Sequence, residues 1–410
     1  MKFDMKLFKS FLGGIALTLP IATVFAVSPV HNRVFEFVPA PGQFVNSIPE
    51  WIEGDDAQAM AEKAYQYTAE DGSMISLGAW GGYVTVGFEK TIVNVPGKRD
   101  IYFEGNSFVA GKVAGQGGSS EPGVVYVSYD INQNGLPDDL WFEIAGSEYR
   151  SSIHNYEVVY YRPLSSEEDI VWKDNQGQSG VVPKNPFHKN SYWPGWMDDK
   201  ETIALKGVRL PDNGSNQGTV DNPYYVLDSF EYGYADNYPN FSDSEGLVRS
   251  EGAMIDIDWA VDERGNSVKM PGVDFVRIQT GVNQSNGWLG ENSTEVCRVI
   301  NTHTKKQGAD EVVDESVVVD NAVLADFLSK YGGASVEDVD NDNLRVYMKP
   351  SGEIVFFLNK SALVRVYDQA GRICFDRVMN EGEGCVNLTE MSRGLYIVSI
   401  EGKSVKVMKK

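Results

Sequence analysis

The sequence predicts an all-β protein, in which a large antiparallel jelly-roll sandwich is followed by a small C-terminal β-sandwich. From Tyr83 onward, short runs alternate apolar and polar residues, as in "YVTVGF", "VVYVSY" and "VDFVRIQ". Alternation with a period of two is typical of strands that have one buried face. Stretches rich in Gly, Asn, Asp and Pro separate these runs, as turns separate the strands of a sandwich.

The first 26 residues have the features of a secretory signal peptide. Three lysines precede an apolar run from Phe11 to Phe25 that is too short to span a bilayer comfortably. We therefore expect residues 1–26 to be removed, and the mature protein to be secreted or held at the cell surface without spanning a membrane. Their removal takes away three Lys and one Asp, so the formal charge changes from −22 to −24. A surface this acidic repels phosphate, so nucleic acid is not an expected partner.

Two helices are predicted in the rest of the chain. Asp56 to Tyr67 begins at a capping Asp, and Asn321 to Tyr331 is followed by two glycines, which commonly end helices. The second helix lies within residues 303–343, which are acidic and poor in aromatic residues. We expect this segment to be an acidic linker with one short helix, between a binding domain of residues 27–302 and a domain of residues 344–410.

The three cysteines are too few for a disulfide framework. Cys374 and Cys385 lie close enough in sequence to pair across neighbouring strands, but such a pair leaves Cys297 alone. Stability must therefore come from ordinary hydrophobic cores, with a metal ion as a candidate aid.

The stretch "DINQNGLPDD" has the spacing of a calcium loop. Oxygen-bearing side chains stand at positions one, three, five and nine, with a Gly at position six, where such loops turn sharply. Position twelve holds Trp141 instead of a bidentate Glu, and Asp139 or Glu143 is the candidate replacement. We expect structural calcium here, bound by Asp130, Asn132, Asn134, Leu136 (through its carbonyl oxygen), Asp138 and Asp139. The alternative is a polar Asn-Gly hairpin turn without an ion.

Three loops carry aromatic rings or amide groups suited to a small polar molecule or a glycan. The candidate ligand-binding residues are Tyr192, Trp193 and Trp196, then Tyr234, Asp236 and Asn237, and finally Asn283, Gln284 and Trp288. The alternatives are that the first loop folds back as a small core of its own, and that the Asn and Asp residues make only turns and strand-end caps.

A carbohydrate-active enzyme, hydrolase or lyase, is the main alternative to a binding protein. Asp256 and Asp258 alternate in "MIDIDW", so a strand there places both carboxylates on one face, with Glu143 or Glu148 as possible partners. Such an acid–base pair suits glycoside hydrolysis. The sequence contains no HExxH, GxSxG or P-loop motif, and we assign no catalytic residue.

The C-terminal strings "VRVYDQAGRIC", "VNLTEMSRGLYIVSI" and "KSVKVMKK" follow one another in a characteristic order. Residues 344–410 thereby resemble the C-terminal sorting domain of type IX secretion in Bacteroidota. This resemblance implies that the type IX secretion machinery is a partner and that the protein is exported across the outer membrane to the cell exterior. An ordinary adhesive β-sandwich with the same turns is the alternative.

The large domain contains "VFEFVPAPGQFVN", "SLGAWGGYVTVGF" and "VDFVRIQTGVNQSNGWLGENSTEV". These strings resemble a family of exported cell-surface proteins of Bacteroidota, which has no settled activity and some of whose members lie near genes for corrinoid uptake. The order of strands is also similar to galactose-binding-like jelly rolls. The two resemblances imply a non-catalytic surface protein that binds a glycan or a corrinoid such as vitamin B12. A purely structural surface protein is a third possibility.

Overall fold

The computed structural model of the chain describes a large N-terminal part and, separately, the strands of the C-terminal part. The described residues are 26–109, 118–239, 242–243, 246–247, 250–332, 346–348, 353–358, 360–368, 372–380, 382–388, 391, 394–400 and 403–409. The predicted signal peptide, except for Ala26, lies outside them.

The large part is built from short strands. In chain order they are Arg33–Val38 (β1), Ile75–Ser76 (β2), Tyr83–Val93 (β3), Ile101–Phe103 (β4), Phe108–Val109 (β5), Gly118–Ser119 (β6), Gly123–Ser128 (β7), Trp141–Ile144 (β8), Ile153–Tyr161 (β9), Ile170–Asp174 (β10), Ser179–Val182 (β11), Thr202–Arg209 (β12), Gly214–Asn216 (β13), Tyr225–Leu227 (β14), Ser242–Asp243 (β15), Gly246–Leu247 (β16), Met254–Ile255 (β17), Ala260–Val261 (β18), Gly272–Thr280 (β19), Glu295–Val296 (β20), Val299–Asn301 (β21), Thr304–Gln307 (β22) and Asp310–Val313 (β23).

The main sheet has six strands in the order β1-β3-β19-β7-β8-β18, and its neighbouring strands are antiparallel. The central strand β19 pairs with β3 on one side and β7 on the other. Val276 and Ile278 of β19 are buried in the main core with residues of both neighbours. Arg277 and Gln279 alternate with them, and Gln279 donates to the carbonyl oxygen of Lys206 on β12, which belongs to a second sheet. The alternation of period two therefore sets which face of β19 meets which layer.

The second sheet has the order β11-β10-β9-β12. Its inward residues form a second core that includes Tyr156, Val158 and Tyr160 of β9 and receives Trp80 from the chain before β3. The Trp80 and Tyr156 rings lie edge to face, with centroids 4.6 Å apart. This core is covered by part of the loop that follows β11, which determines what that loop can expose.

Within the described residues, two α-helices accompany the sheets. They are Ala57–Tyr65 (α1), continued by a π-helical turn at Gln66–Glu70, and Asn321–Tyr331 (α2). Short 3₁₀ turns occur at Gly195–Met197, Glu251–Ala253, Ile257–Trp259 and Gly287–Leu289. Asp56 caps α1 by accepting from the backbone nitrogen of Ala59, as the sequence indicated. No helix among the described residues is long and apolar enough to cross a membrane.

The segment predicted to be an acidic linker, residues 303–343, contains a hairpin and a helix where the structure describes it, and most of its described side chains are exposed. Strands β22 and β23 form a hairpin, and α2 buries Phe327 in the main core. The Phe327 ring contacts those of Tyr129 and Phe142, with centroids 5.8 and 5.9 Å away. Helix α2 is therefore attached to the main core by Phe327 together with the half-buried Leu328 and Tyr331.

The C-terminal part forms two further antiparallel sheets. Its strands are Val346–Met348 (β24), Glu353–Leu358 (β25), Ala362–Asp368 (β26), Ile373–Met379 (β27), Gly382–Asn387 (β28), Gly394–Ile400 (β29) and Lys403–Lys409 (β30). The sheets have the orders β24-β25-β28 and β27-β26-β29-β30, and both contribute to one separate core. Cys374 on β27 and Cys385 on β28 lie in different sheets.

The all-β class of antiparallel sheets predicted from the sequence is confirmed. One predicted strand is wrong. Asp256 and Asp258 do not alternate on a strand face, because β17 ends at Ile255 and Asp256 caps the 3₁₀ turn Ile257–Trp259 by accepting from the backbone nitrogen of Asp258. The hydrogen bond from the backbone nitrogen of Asp258 to the Asp256 side chain replaces the strand-to-strand hydrogen bonds that a continued β17 would make.

Candidate functional site

The loop that joins β7 to β8 holds the residues predicted to bind calcium. Asp130 accepts from the backbone nitrogens of Asn134 and Gly135, at 3.1 and 2.8 Å. The side-chain amides of Asn132 and Asn134 both donate to the carboxylate of Asp138, at 2.9 and 2.8 Å. The oxygen-bearing side chains of Asp130, Asn132, Asn134 and Asp138 therefore form hydrogen bonds within this one loop. Leu136 takes part through its backbone nitrogen, which donates to Asn134 Oδ1.

Asp139 differs from the other acids of this loop because it is only 4% exposed. Its Oδ2 accepts from the backbone nitrogens of Ile131 and Asn132, whereas its buried Oδ1 has no hydrogen-bond partner. Burial raises the pKa of Asp139 to about 6. A fourth carboxylate, Asp274 at the start of β19, accepts from the backbone nitrogen of Asp130 at 2.8 Å, and burial raises its pKa as well.

A cleft of about 440 Å³ adjoins this loop. Asp130, Gly135 and Asp274 line one side, and Arg33 and Lys90 are among the residues of the remaining wall. The Arg33 guanidinium lies 4.3 Å from the centroid of the Phe35 ring, a cation–π contact. This cleft is thus beside the predicted calcium loop, and none of the predicted ligand-binding residues is among those that line it.

The aromatic residues predicted to stack on a ligand in the loop after β11 are mostly covered. Tyr192 and Trp193 are each 2% exposed within the second core. Trp193 donates to the carbonyl oxygen of Met197, and the half-buried Trp196 stacks on Phe37 with centroids 5.7 Å apart. Neither Tyr192 nor Trp193 offers a free face to a ligand, because a long loop in a β-domain stays ordered by burying apolar side chains. The alternative expectation, a core formed by the loop, describes them.

The stretch that contains Tyr234, Asp236 and Asn237 is also inside the protein. Tyr234 is 2% exposed, and its hydroxyl accepts from the backbone nitrogen of Glu148. Asn237 is fully buried and exchanges two hydrogen bonds with the backbone of Phe230. Asp236 has a left-handed backbone with φ of 48°. Its carboxylate accepts hydrogen bonds from the backbone nitrogens of Asn106 and Glu295. These residues brace loops and do not face solvent.

Asp236 belongs to a carboxyl cluster that the sequence did not reveal. Its carboxyl oxygens lie within 4.8 Å of those of Glu121 and Glu295, a spacing that could also hold a cation. Burial, followed by repulsion from Asp236, raises the pKa of Glu121 from 4.5 to about 8, and burial raises that of Glu295 well above its usual value. We infer that the cluster holds protons at neutral pH. No buried oxygen of the cluster is without a hydrogen-bond partner in the described structure.

Of the third group, Trp288 alone is strongly exposed. Its side chain is 52% exposed in the 3₁₀ turn Gly287–Leu289. Asn283 donates to the hydroxyl of Tyr156, and Gln284 makes two hydrogen bonds with the backbone of Gly214. Asn283 and Gln284 are therefore half-buried braces beside an exposed indole.

The exposed indole is tied to the loop after β11. Asn185 donates from Nδ2 to the carbonyl oxygen of Trp288 at 2.8 Å, and its Oδ1 accepts from the backbone nitrogen of Phe187 at 2.9 Å. Phe187 is 80% exposed. One side-chain amide thus holds the backbones of two loops together, and each loop carries an aromatic ring in solvent. We call Phe187, Trp288 and the adjoining half-buried Tyr225 the aromatic surface.

The carboxylates considered for catalysis are engaged elsewhere. Asp258 accepts from the side-chain amide of Asn94 at 3.0 Å. Glu143 pairs with His154, at 3.2 Å, and this hydrogen bond raises the pKa of His154. Glu148 accepts from the hydroxyl of Ser151. Each has a local structural contact.

The predicted calcium loop and the aromatic surface are attached near opposite ends of β19. Asp274, which contacts the loop, is near the first residue of the strand, and Trp288 follows its last residue. Seven residues of extended chain from Asp274 to Gly281 span roughly 23 Å, and this length of strand lies between the loop and the segment that leads to Trp288. No model of a known family matches this chain, and no curated protein has significant similarity to it, so this geometry carries the functional interpretation.

Proposed function

We propose that this protein is an exported, surface-associated binding protein, without catalytic activity of its own, for a neutral polar ligand such as a glycan or a corrinoid. The observation that carries the proposal is the aromatic surface, where Trp288 and Phe187 are exposed on two loops that Asn185 joins. A single exposed aromatic ring is ordinary, but exposed rings grouped on loops that are joined to each other favour a binding role.

The support beneath Trp288 is rigid. Gln43 donates from Nε2 to the carbonyl oxygen of Leu289 at 2.9 Å, and the backbone nitrogen of Asn286 donates to the carbonyl oxygen of Gly290. Gly287 has φ of 60°, and a Cβ there would lie 2.4 Å from the Tyr225 ring, so only Gly fits. Binding of a ligand to this turn therefore costs little conformational entropy, because the turn is already ordered.

The chemistry of the surface favours a ligand without net negative charge. The chain has a formal charge of −22, and this field repels anions approaching any part of it. Indole and phenyl rings offer flat apolar faces, on which the apolar face of a sugar ring or a corrin can stack.

The resemblance of residues 344–410 to a sorting domain supports the export part of the proposal. In a bacterium with type IX secretion, the full chain should reach the cell exterior, whereas a chain that ends at residue 343 should remain inside the outer membrane. Detection of both forms at the surface by protease accessibility would contradict this part of the proposal.

The binding part is tested by calorimetric titration of the mature chain with a panel of neutral glycans and with cobalamin. At least one member should release heat with 1:1 stoichiometry. Absence of heat across the panel, together with release of products from any polysaccharide, would instead support the carbohydrate-active enzyme.

A further inference from the structure

We propose that the loop from Asp130 to Asp139 binds one calcium ion. The ligands are oxygens of Asp130, Asn132, Asn134, Asp138 and Asp139, with the carbonyl oxygen of Leu136 at position seven. The ion stabilises the β7–β8 hairpin and takes no part in ligand contact.

The spacing and the turn of this loop suit a large hard cation. Calcium takes six to eight oxygen ligands at variable angles, and a short loop supplies them when alternate side chains point to one centre. Gly135 at position six has φ of 74°, and Gln133 at position four has φ of 56°. These left-handed positions bend the chain so that side chains on both sides of Gly135 meet, as the hydrogen bonds from Asn132 and Asn134 to Asp138 show.

Asp139 supplies the independent sign that an ion belongs here. It is buried, with 4% of its surface exposed, and its Oδ1 has no hydrogen-bond partner. Its Oδ2 accepts from the backbone of Ile131 and Asn132, so the carboxylate is held against the start of the loop. A buried carboxylate oxygen without a partner costs free energy that a cation would recover. In this proposal Asp139 also supplies the carboxylate that is missing at position twelve, where the chain has Trp141.

The charges around the loop favour a cation. Asp130, Asp138, Asp139 and Asp274 lie together, and within the described part of the chain none of them forms an ion pair with a basic side chain. Arg33 and Lys90 line the adjoining cleft without forming a salt bridge to any described acid of the loop. Like charges this close repel one another unless a positive ion lies among them.

The role follows from what the loop is attached to. Asp130 donates its backbone nitrogen to Asp274 of β19, so the loop links the β7–β8 hairpin to the central strand of the main sheet. An ion that orders the loop therefore stabilises the folded state, since it binds the folded loop better than the unfolded chain.

The experiment uses the mature chain of residues 27–410, titrated with calcium by calorimetry and melted with calcium or with a chelator. We expect one site and a rise in Tm of about 5 °C at roughly one hundred times Kd. Asp139→Asn and Asp130→Asn should each abolish the rise. Asp262→Asn is the matched control, because Asp262 accepts from the backbone of Arg264 and Asn266 in a loop without the calcium spacing, and it should keep the full rise.

A second readout does not depend on the ligand variants folding well. Terbium bound in the loop should luminesce on excitation of Trp141, which follows the loop in sequence, and Trp141→Phe should remove most of this signal. The proposal is overturned if wild-type protein shows neither heat, nor a Tm rise, nor terbium luminescence. It is equally overturned if the calcium response survives both loop variants, if it is lost in Glu121→Gln of the carboxyl cluster, or if magnesium stabilises more than calcium does.

Discussion

The side-chain amide of Asn185 donates to the carbonyl oxygen of Trp288 at 2.8 Å, although 103 residues separate the two in sequence. The same amide accepts from the backbone nitrogen of Phe187. Asn185 is itself buried, at 6% exposure, whereas the two aromatic side chains that it positions are in solvent. The backbones that carry the two exposed rings of the aromatic surface are thus joined by a buried side chain.

Replacement of that residue should weaken ligand binding without removing either ring. We expect Asn185→Ala to lower the free energy of unfolding by about 1 kcal/mol, because it removes two partly buried hydrogen bonds. We also expect a several-fold increase in Kd for the ligand, since the two loops lose their common attachment. Chemical denaturation and calorimetric titration measure the two effects.

Asn46→Ala is the matched control for that change. Asn46 also joins loop segments through its amide, to the carbonyl oxygens of Ser191 and Trp193 and the backbone nitrogen of Gly195, but it does not contact Trp288. It should destabilise the protein by a similar amount and leave Kd nearly unchanged. Equal loss of affinity in both variants would indicate a general effect of instability.

The carboxyl cluster predicts a pH dependence of stability. Burial raises the pKa of Glu121 above its unfolded value, so its contribution is fully present below about pH 4.5 and is lost as the pH rises through about 8. We expect the free energy of unfolding to fall across this window, and Glu121→Gln to flatten the fall. Glu89→Gln, at an exposed position, serves as control. Identical pH profiles for wild type and Glu121→Gln would refute the inference that the carboxyl cluster holds protons at neutral pH.

The packing of α2 predicts a large effect from one side chain. Phe327 is 1% exposed among the rings of Tyr129, Phe142 and Tyr331. Phe327→Ala should therefore lower the free energy of unfolding by about 3–5 kcal/mol, as expected for a buried Phe. Val318→Ala, at a position 72% exposed in the same acidic segment, should cost little. A loss below about 1 kcal/mol for Phe327→Ala would show that the segment is a linker after all.

The strand class could be predicted because each strand has its own period-two signal, visible in a few residues. The ends of α2 are also marked by local signals, because Asp320 and Gly332 cap the helix and lie next to it in sequence. The packing of α2 could not be predicted, because Phe327, Leu328 and Tyr331 pack against residues from distant strands. At Asp256 the local signal was misleading. The alternation of Asp256 and Asp258 with isoleucines predicted a strand, whereas Asp256 caps a 3₁₀ turn.

The candidate site was predictable only where its residues are close in sequence. The loop from Asp130 to Asp139 is such a case, and its spacing identifies it as a calcium candidate. The aromatic surface depends on Asn185, whose partner is more than a hundred residues away, and the carboxyl cluster combines Glu121, Asp236 and Glu295 from three separate segments. Sequence composition also could not separate the exposed Trp288 from the buried Trp193, because both occur in polar loops rich in Gly and Asn or Pro.

The most direct test of the binding role is the affinity of Trp288→Ala for a ligand identified by titration. The loss of one stacking face should raise Kd at least about tenfold, as for an aromatic residue at the centre of a binding surface, and should leave Tm within about 2 °C because the side chain is half exposed. Tyr161→Ala, an aromatic residue 38% exposed on β9, is the control and should bind normally. Unchanged Kd for Trp288→Ala and Phe187→Ala, in protein that binds the ligand, would contradict the assignment of the aromatic surface.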